Sequence, residues 1–278
     1  MATQTELGAV GSLWRYPVKS MMGEELNAAE VTERGLLGDR AYALVDCADG
    51  KVVTAKNPRK WPHLFDFRAS FIDPARAGAQ VAPVRITLPD GSMVTSEQDD
   101  CNQILSQALA REVMLNVIGR GDEEAKTSAE EYWPDMEGLA FRETVTDFDL
   151  PAGTFFDCAV VHLLTTATLD RLSELYPRGR FEVRRFRPNI VIQSPSGERG
   201  FIEDSWIGHT LAMGDEVRLS ITGPCGRCVM TTLPQGDLPK DPEILRTAAK
   251  HNHVHVGVYG AVAQGGVIRR GDRVRWAA

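Results

Sequence analysis

Apolar residues in this chain fall mainly into short runs and two-residue alternations separated by turn residues, the pattern of strands rather than long helices. Tyr42-Ala43-Leu44-Val45, the turn signal Asp49-Gly50 and Lys51-Val52-Val53-Thr54 predict one hairpin. Val84-Arg85-Ile86-Thr87-Leu88, the turn Pro89-Asp90-Gly91 and Met93-Val94-Thr95 predict a second. Further strands are expected at 113–118, 157–164, 189–193, 216–222 and 253–262, with a last one over Arg273–Trp276. Helical spacing is rarer. Ile104, Leu105, Ala108 and Leu109 share a face of a helix expected at 101–111, capped by Asp99 or Asp100. Leu169, Leu172 and Leu175 form a stripe that stops before Pro177, with Thr166 as the expected cap. A short helix is expected at 242–250. Many antiparallel strands with few helices predict a barrel-like α+β architecture. Residues 120–131 are charged and poor in large apolar side chains, and read as a surface loop that divides the chain into 1–122 and 123–278.

The 278 residues suit one large domain or two of moderate size. The 31 basic against 38 acidic side chains leave a net charge of −7, which argues against a dedicated nucleic-acid binder but not against a local basic pocket. No apolar run reaches the roughly 18–20 residues of a membrane span, and residues 1–10 lack the basic-then-apolar pattern of a signal peptide. Five cysteines, an odd and sparse set, predict a reduced, cytoplasmic protein in which a cysteine pair serves redox or metal chemistry.

Four segments carry candidate chemistry. In Gly223-Pro224-Cys225-Gly226-Arg227-Cys228-Val229-Met230-Thr231-Thr232, glycine and proline are expected to put both thiols on a turn at a strand end, and Arg227 to favour the Cys228 thiolate. A bare C-x-x-C reads as a redox disulfide, half a zinc site, or one ligand with a bystander. The zinc reading draws on His251, His253 and His255, which would share one face of a strand. The redox reading wants the motif at a helix start, whereas an apolar strand precedes it here. In Arg184-Arg185-Phe186-Arg187-Pro188-Asn189, three arginines just before a buried strand offer bidentate donors to phosphate, or form a solvated cluster. Lys19 and Ser20 of Tyr16-Pro17-Val18-Lys19-Ser20 could donate to an anion or simply end a strand. Arg40 of Gly38-Asp39-Arg40 is a further phosphate ligand or a partner of Asp39.

Taken together and in order, YPVKS, GDR, FRPNIVI and RCVMTT resemble the MOSC family of molybdenum-cofactor proteins. The likeness is to the subgroup with an N-terminal β-barrel domain, which includes the mitochondrial amidoxime-reducing component and its bacterial relatives. The resemblance implies that Cys228 is the protein's ligand to molybdenum and that Cys225 does not ligate. It also implies that Lys19, Ser20, Arg40, Arg187 and Asn189 hold the phosphate end of the molybdopterin, with Arg227 beside them. Thr165 and Tyr259 fall in segments similar to pocket-lining stretches of the family. Binding of pyridoxal phosphate is a further family-level implication. The activity implied is reductive removal of oxygen from N-hydroxylated compounds such as hydroxylamines, amidoximes and N-hydroxylated bases. The chain has no cysteine after Cys228, hence no plant-type iron–sulfur pattern, and no G-x-G-x-x-G. A separate flavin, haem or iron–sulfur protein is therefore the expected electron donor. The membrane anchor of the mitochondrial relative is not found, and neither nucleic acid nor membrane is an expected partner. The alternatives are a non-catalytic carrier of the cofactor or a sulfur-delivery module and, from another class, a zinc-stabilised interaction domain.

Overall fold

The computed structural model describes residues 6–119 and 127–277. Its centre is a closed barrel of seven strands. In order around the ring these are Glu6–Arg15, Arg273–Trp276, Thr210–Met213, Val217–Gly226, His255–Gln264, Val161–Thr165 and Ile190–Gln193, which pairs back with Glu6–Arg15. Every pairing is antiparallel except Val161–Thr165 with Ile190–Gln193. Parallel neighbours need a crossover, and the helix Thr166–Leu175 lies within it. The barrel is filled by inward-facing apolar residues, among them Leu13, Leu163, Ile190, Leu219, Ile221, Val258 and Val274. Closure leaves the seven strands no free edge. The class is α+β, with four short helices among the described residues.

The first third of the chain builds smaller sheets beside this barrel. Arg68–Phe71, Val84–Thr87 and Met93–Thr95 form one, which contains the second expected hairpin. Tyr42–Asp46 pairs over its length with Val113–Val117. The first expected hairpin is present but short: Val53 N–H donates to Leu44 O and Asp46 N–H to Lys51 O, around a single bridge at Val52. A second core forms here from Val18, Met21, Leu44, Trp61, Phe65, Phe67, Ile86 and Leu105.

The two parts interlock. The strand Glu6–Arg15 closes the barrel built by the second half. Gly266–Arg269 from the second half pairs with Ala28–Thr32 from the first. Val229 and Leu233, directly after Cys228, are buried in the first part's core. The segment after Cys228 is thus gripped by one body while the strand before it belongs to the other.

Several expectations are corrected. Of the loop expected at 120–131, residues 120–126 lie outside the described residues, and Ser128–Trp133 is a strand paired with Thr144–Asp149. Its acidic positions Glu130 and Glu131 are partly buried in ion pairs with lysines, while Ala129 and Tyr132 are buried. The strand expected at 157–164 starts only at Val161. The helix cap is Thr165, whose hydroxyl accepts from Thr168 N–H, one residue before the expected Thr166. Asp100 precedes the helix Cys101–Leu109 without a side-chain capping bond. None of the described helices is long and apolar enough to cross a membrane.

Candidate functional site

The strand Val217–Gly226 stays paired with His255–Gln264 as far as Gly226, because register shifts after Ile221 and Pro224 absorb the glycine and proline. Cys225 is therefore a strand residue with no exposed surface. Only Cys228 sits on the turn, at the head of the 3₁₀ segment Val229–Thr232, and it is half-buried. Hydroxyls close this turn: Thr231 Oγ1 donates to Cys228 O at 3.0 Å, and Thr232 Oγ1 to Val229 O at 2.7 Å.

The three clustered arginines diverge. Arg184 pairs on the surface with Glu182 and Asp237. Arg185 is wholly buried and donates to the carbonyls of Arg180, Thr231, Leu233 and Pro239. It fastens the turn that carries Cys228 and is no anion ligand. Arg187 alone reaches the cavity. Its Nη1 donates to Met21 O at 2.7 Å, and its guanidinium lies 4.1 Å from the centre of the Tyr16 ring. Burial lowers the Arg187 pKa to about 10, so it is still a cation at neutral pH.

Lys19, Ser20, Arg40, Arg187, Asn189, Arg227 and Cys228 all border one cavity of about 430 Å³. Ser20, Arg40 and Arg187 have φ of 63°, 47° and 52°. Left-handed backbone at a non-glycine residue costs about 1 kcal/mol or more each and persists only where surrounding packing enforces it. Ser20 Oγ accepts from Ala55 N–H. Arg40 is paired with Asp39. Asp39 is itself fixed by Tyr16 N–H and by Asn189 Nδ2 at 2.8 Å each. The Asn189 Oδ1 accepts from His162 N–H. The Asn189 amide is thus occupied within the protein, and its contribution is to hold Asp39 and, through it, Arg40.

Lys56, which no sequence motif marked, borders the same cavity. Its Nζ stands 3.3 Å from Asp157 and 3.6 Å from Glu131. Burial opposes its charge, but Asp157, Cys228 and Glu131 together raise its pKa above the ordinary lysine value. Lys19 donates to Phe155 O at 2.7 Å and pairs with Asp157. Five cationic side chains thus face two carboxylates around the cavity, an excess suited to an anionic ligand. Tyr259 also lines the cavity, whereas Thr165 is buried against Glu203 away from it.

Burial works against the Asp157 carboxylate, but Lys19 and Lys56 overcome it and hold its pKa well below the usual range. A depressed folded value adds stability that is complete above the unfolded pKa of about 4. That stability is lost as pH falls through the folded value. Asp157→Asn is expected to be less stable at pH 7 and to vary less between pH 4 and 2 than the wild type, measured by urea unfolding across that range. A variant with the wild-type acid slope contradicts the assignment.

The thiols differ from expectation. Arg227 Nη1 donates to Cys225 Sγ at 2.8 Å, not to Cys228. Burial raises Cys225, yet Arg227 and the hydrogen-bonded His162 and Tyr259 outweigh it and bring the thiol to about 6. Burial raises Cys228 to about 11, with Lys56 and Arg227 opposing and Glu131 adding to the rise. An unligated thiol with this value stays protonated at neutral pH, so a soft metal ion would have to displace its proton.

The zinc geometry does not form. His251 lies in the helix Glu243–Asn252, His253 caps it in left-handed conformation, and His255 begins a strand, so the three share no strand face. Among the described residues no group of three His, Cys, Asp or Glu side chains is placed to hold a metal by itself. The donor set fits a different group, one with its own ligands and an anionic end. The half-buried Cys228 thiol borders a cation-rich cavity, and the Arg227 Nε is buried without a partner.

Residues 7–130 match the MOSC N-terminal beta barrel domain and residues 151–275 the MOSC domain. The chain is 29% identical over 245 residues to the mitochondrial amidoxime reducing component 2 of Bos taurus, covering 82% of this chain and 67% of that one. It is 26% identical to the Rattus norvegicus protein of the same name, covering 97% and 83%. A molybdenum cofactor sulfurase of Oryza sativa subsp. japonica is 26% identical over 85% of this chain but only 30% of its own length.

Proposed function

The chain belongs to the MOSC-domain proteins that carry the N-terminal MOSC β-barrel domain, and on that premise we propose that it is a molybdenum-cofactor-dependent reductase of N-hydroxylated compounds. The observation that carries the reading is the meeting of the half-buried Cys228 thiol with Lys19, Arg40, Lys56, Arg187 and Arg227 around one cavity.

Cys228 is the ligand of this reading, because a soft thiolate suits a sulfur-bound molybdenum. Arg40, Arg187 and Arg227 grip the phosphate end through planar N–H donors. Lys19 adds charge, and the Ser20 hydroxyl keeps its proton free to donate while its oxygen accepts from Ala55. Asn189 and Asp39 keep Arg40 in position. When bound, the cofactor supplies two-electron removal of oxygen from an N–O bond, and the protein supplies ligand, orientation and electrostatics. The electrons come from a separate flavin, haem or iron–sulfur protein. All five cysteines are free, in keeping with a reducing compartment such as the cytoplasm.

A second reading is a carrier of the cofactor or a sulfur-delivery module. It is favoured by the exposed Cys158, which borders the same cavity as Cys228, and by the likeness to a cofactor sulfurase. Turnover separates the two. Purified protein that contains molybdenum is expected to reduce benzamidoxime or hydroxylaminopurine when given an artificial reductant. Molybdenum content without turnover of either compound would favour the carrier.

A further inference from the structure

Cys225 is the thiol to which the proposed chemistry gives no task. It lies within a strand, is fully buried and forms part of the cavity wall. Its sulfur accepts from Arg227 Nη1 at 2.8 Å, and Nη2 of the same guanidinium donates to Phe186 O at 2.8 Å. The third nitrogen, Nε, has no partner. Among the described residues Arg227 makes no ion pair with a carboxylate, so no carboxylate offsets the cost of taking its charge out of water. His162 and Tyr259 also lower the titration point of the sulfur. The imidazole has room because position 257 is glycine at φ +82°: a Cβ there would stand 2.4 Å from His162 Nε2.

We infer that Cys225 is a positioning residue, whose sulfur fixes the Arg227 guanidinium at the cavity wall for an anionic group there. The inference rests on the cofactor reading above. It divides the labour of the C-x-x-C pair: Cys228 faces the cavity to ligate, while Cys225 acts only through the arginine between them. The low titration point of Cys225 agrees, since a thiolate supplies the opposite charge that the neighbouring carbonyl cannot.

The test uses the full chain, produced in a host that makes the cofactor, and reads pterin retained per protein after gel filtration, by fluorescence of the oxidised pterin. Cys225→Ala and Arg227→Met are each expected to lower retention about tenfold, which corresponds to about 1.4 kcal/mol. The double variant is expected to retain as much as Arg227→Met alone, because the thiol acts only through the guanidinium. Cys225→Asp, which returns an anion, is expected to recover part of the loss. If the alanine variant does not fold, Cys225→Ser, near in size but uncharged, replaces it with the same expectation. Retention unchanged in Cys225→Ala, or losses that add in the double variant, would overturn the inference while leaving the cofactor reading intact. Wild-type protein that carries no pterin would overturn both.

Discussion

Cys228→Ser is expected to abolish turnover of N-hydroxylated substrates, by about 10³-fold or more, equivalent to about 4 kcal/mol of lost transition-state stabilisation. The effect is large because a hydroxyl is a poor ligand for a soft, sulfur-bound metal. Its partner in the C-x-x-C pair does not take the same place: Cys225 is engaged by Arg227 inside the strand. The fold is expected to survive. The Cys228 carbonyl, not its sulfur, receives the Thr231 hydroxyl, and the turn is held by Val229 and Leu233 in the neighbouring core. Steady-state kinetics with an artificial reductant, set beside thermal unfolding of the same samples, checks both halves. A serine variant with more than a tenth of wild-type turnover contradicts the ligand assignment.

Arg185→Met is expected to produce the largest stability change, about 3–5 kcal/mol. The guanidinium has no exposed surface and no ion-pair partner among the described residues. It is compensated by four carbonyls, those of Arg180, Thr231, Leu233 and Pro239, at 2.8–3.2 Å. Hydrogen bonds from a charged donor contribute roughly 1.5–3 kcal/mol each, and a buried carbonyl left without a donor costs about 1–3 kcal/mol. Methionine fills much of the volume but leaves all four acceptors unmet. Two of them, Thr231 and Leu233, belong to the segment that positions Cys228, so cofactor content is expected to fall along with stability. Arg185→Lys can satisfy only some of the acceptors and should fall between. Urea unfolding measures the change, and a methionine variant within about 1 kcal/mol of wild type, the scale of an ordinary mutation, contradicts this role.

Arg185 also shows where the sequence stopped being informative. Three arginines in four positions look alike as a string, yet one is a surface ion pair, one an internal brace and one a cavity cation. Side-chain direction decides among them, and the short helix Val183–Phe186 with left-handed Arg187 after it sets that direction. Strands with regular alternation, such as Val84–Thr87 and Arg273–Trp276, were legible because one face is buried. Ser128–Trp133 was not, because its charged positions Glu130 and Glu131, partly buried by pairing with Lys51 and Lys56, read as a loop. The glycine and proline before Cys225 pointed to a turn, but register shifts carried the strand through them. The histidine alternation failed because His253 and Val254 take left-handed conformations, a tertiary outcome that spacing cannot express. Lys56 carried no local signal at all. It joins the site through a contact with Asp157, 101 positions away by their numbers. The cavity residues found from ordered motifs came from resemblance; composition and periodicity alone leave the arginines as a solvated cluster, Lys19 and Ser20 as the end of a strand, and Cys228 with three readings.

On the proposed function, a pterin-held molybdenum occupies the cavity bordered by Cys228. The most direct measurement is metal analysis together with pterin extraction on the purified full-length protein from a host that makes the cofactor. Molybdenum and pterin are expected in equal and near-stoichiometric amounts, and both are expected to fall together in Arg187→Ala combined with Arg40→Ala. Protein that carries zinc, or that carries neither molybdenum nor pterin under those conditions, would contradict the proposed function.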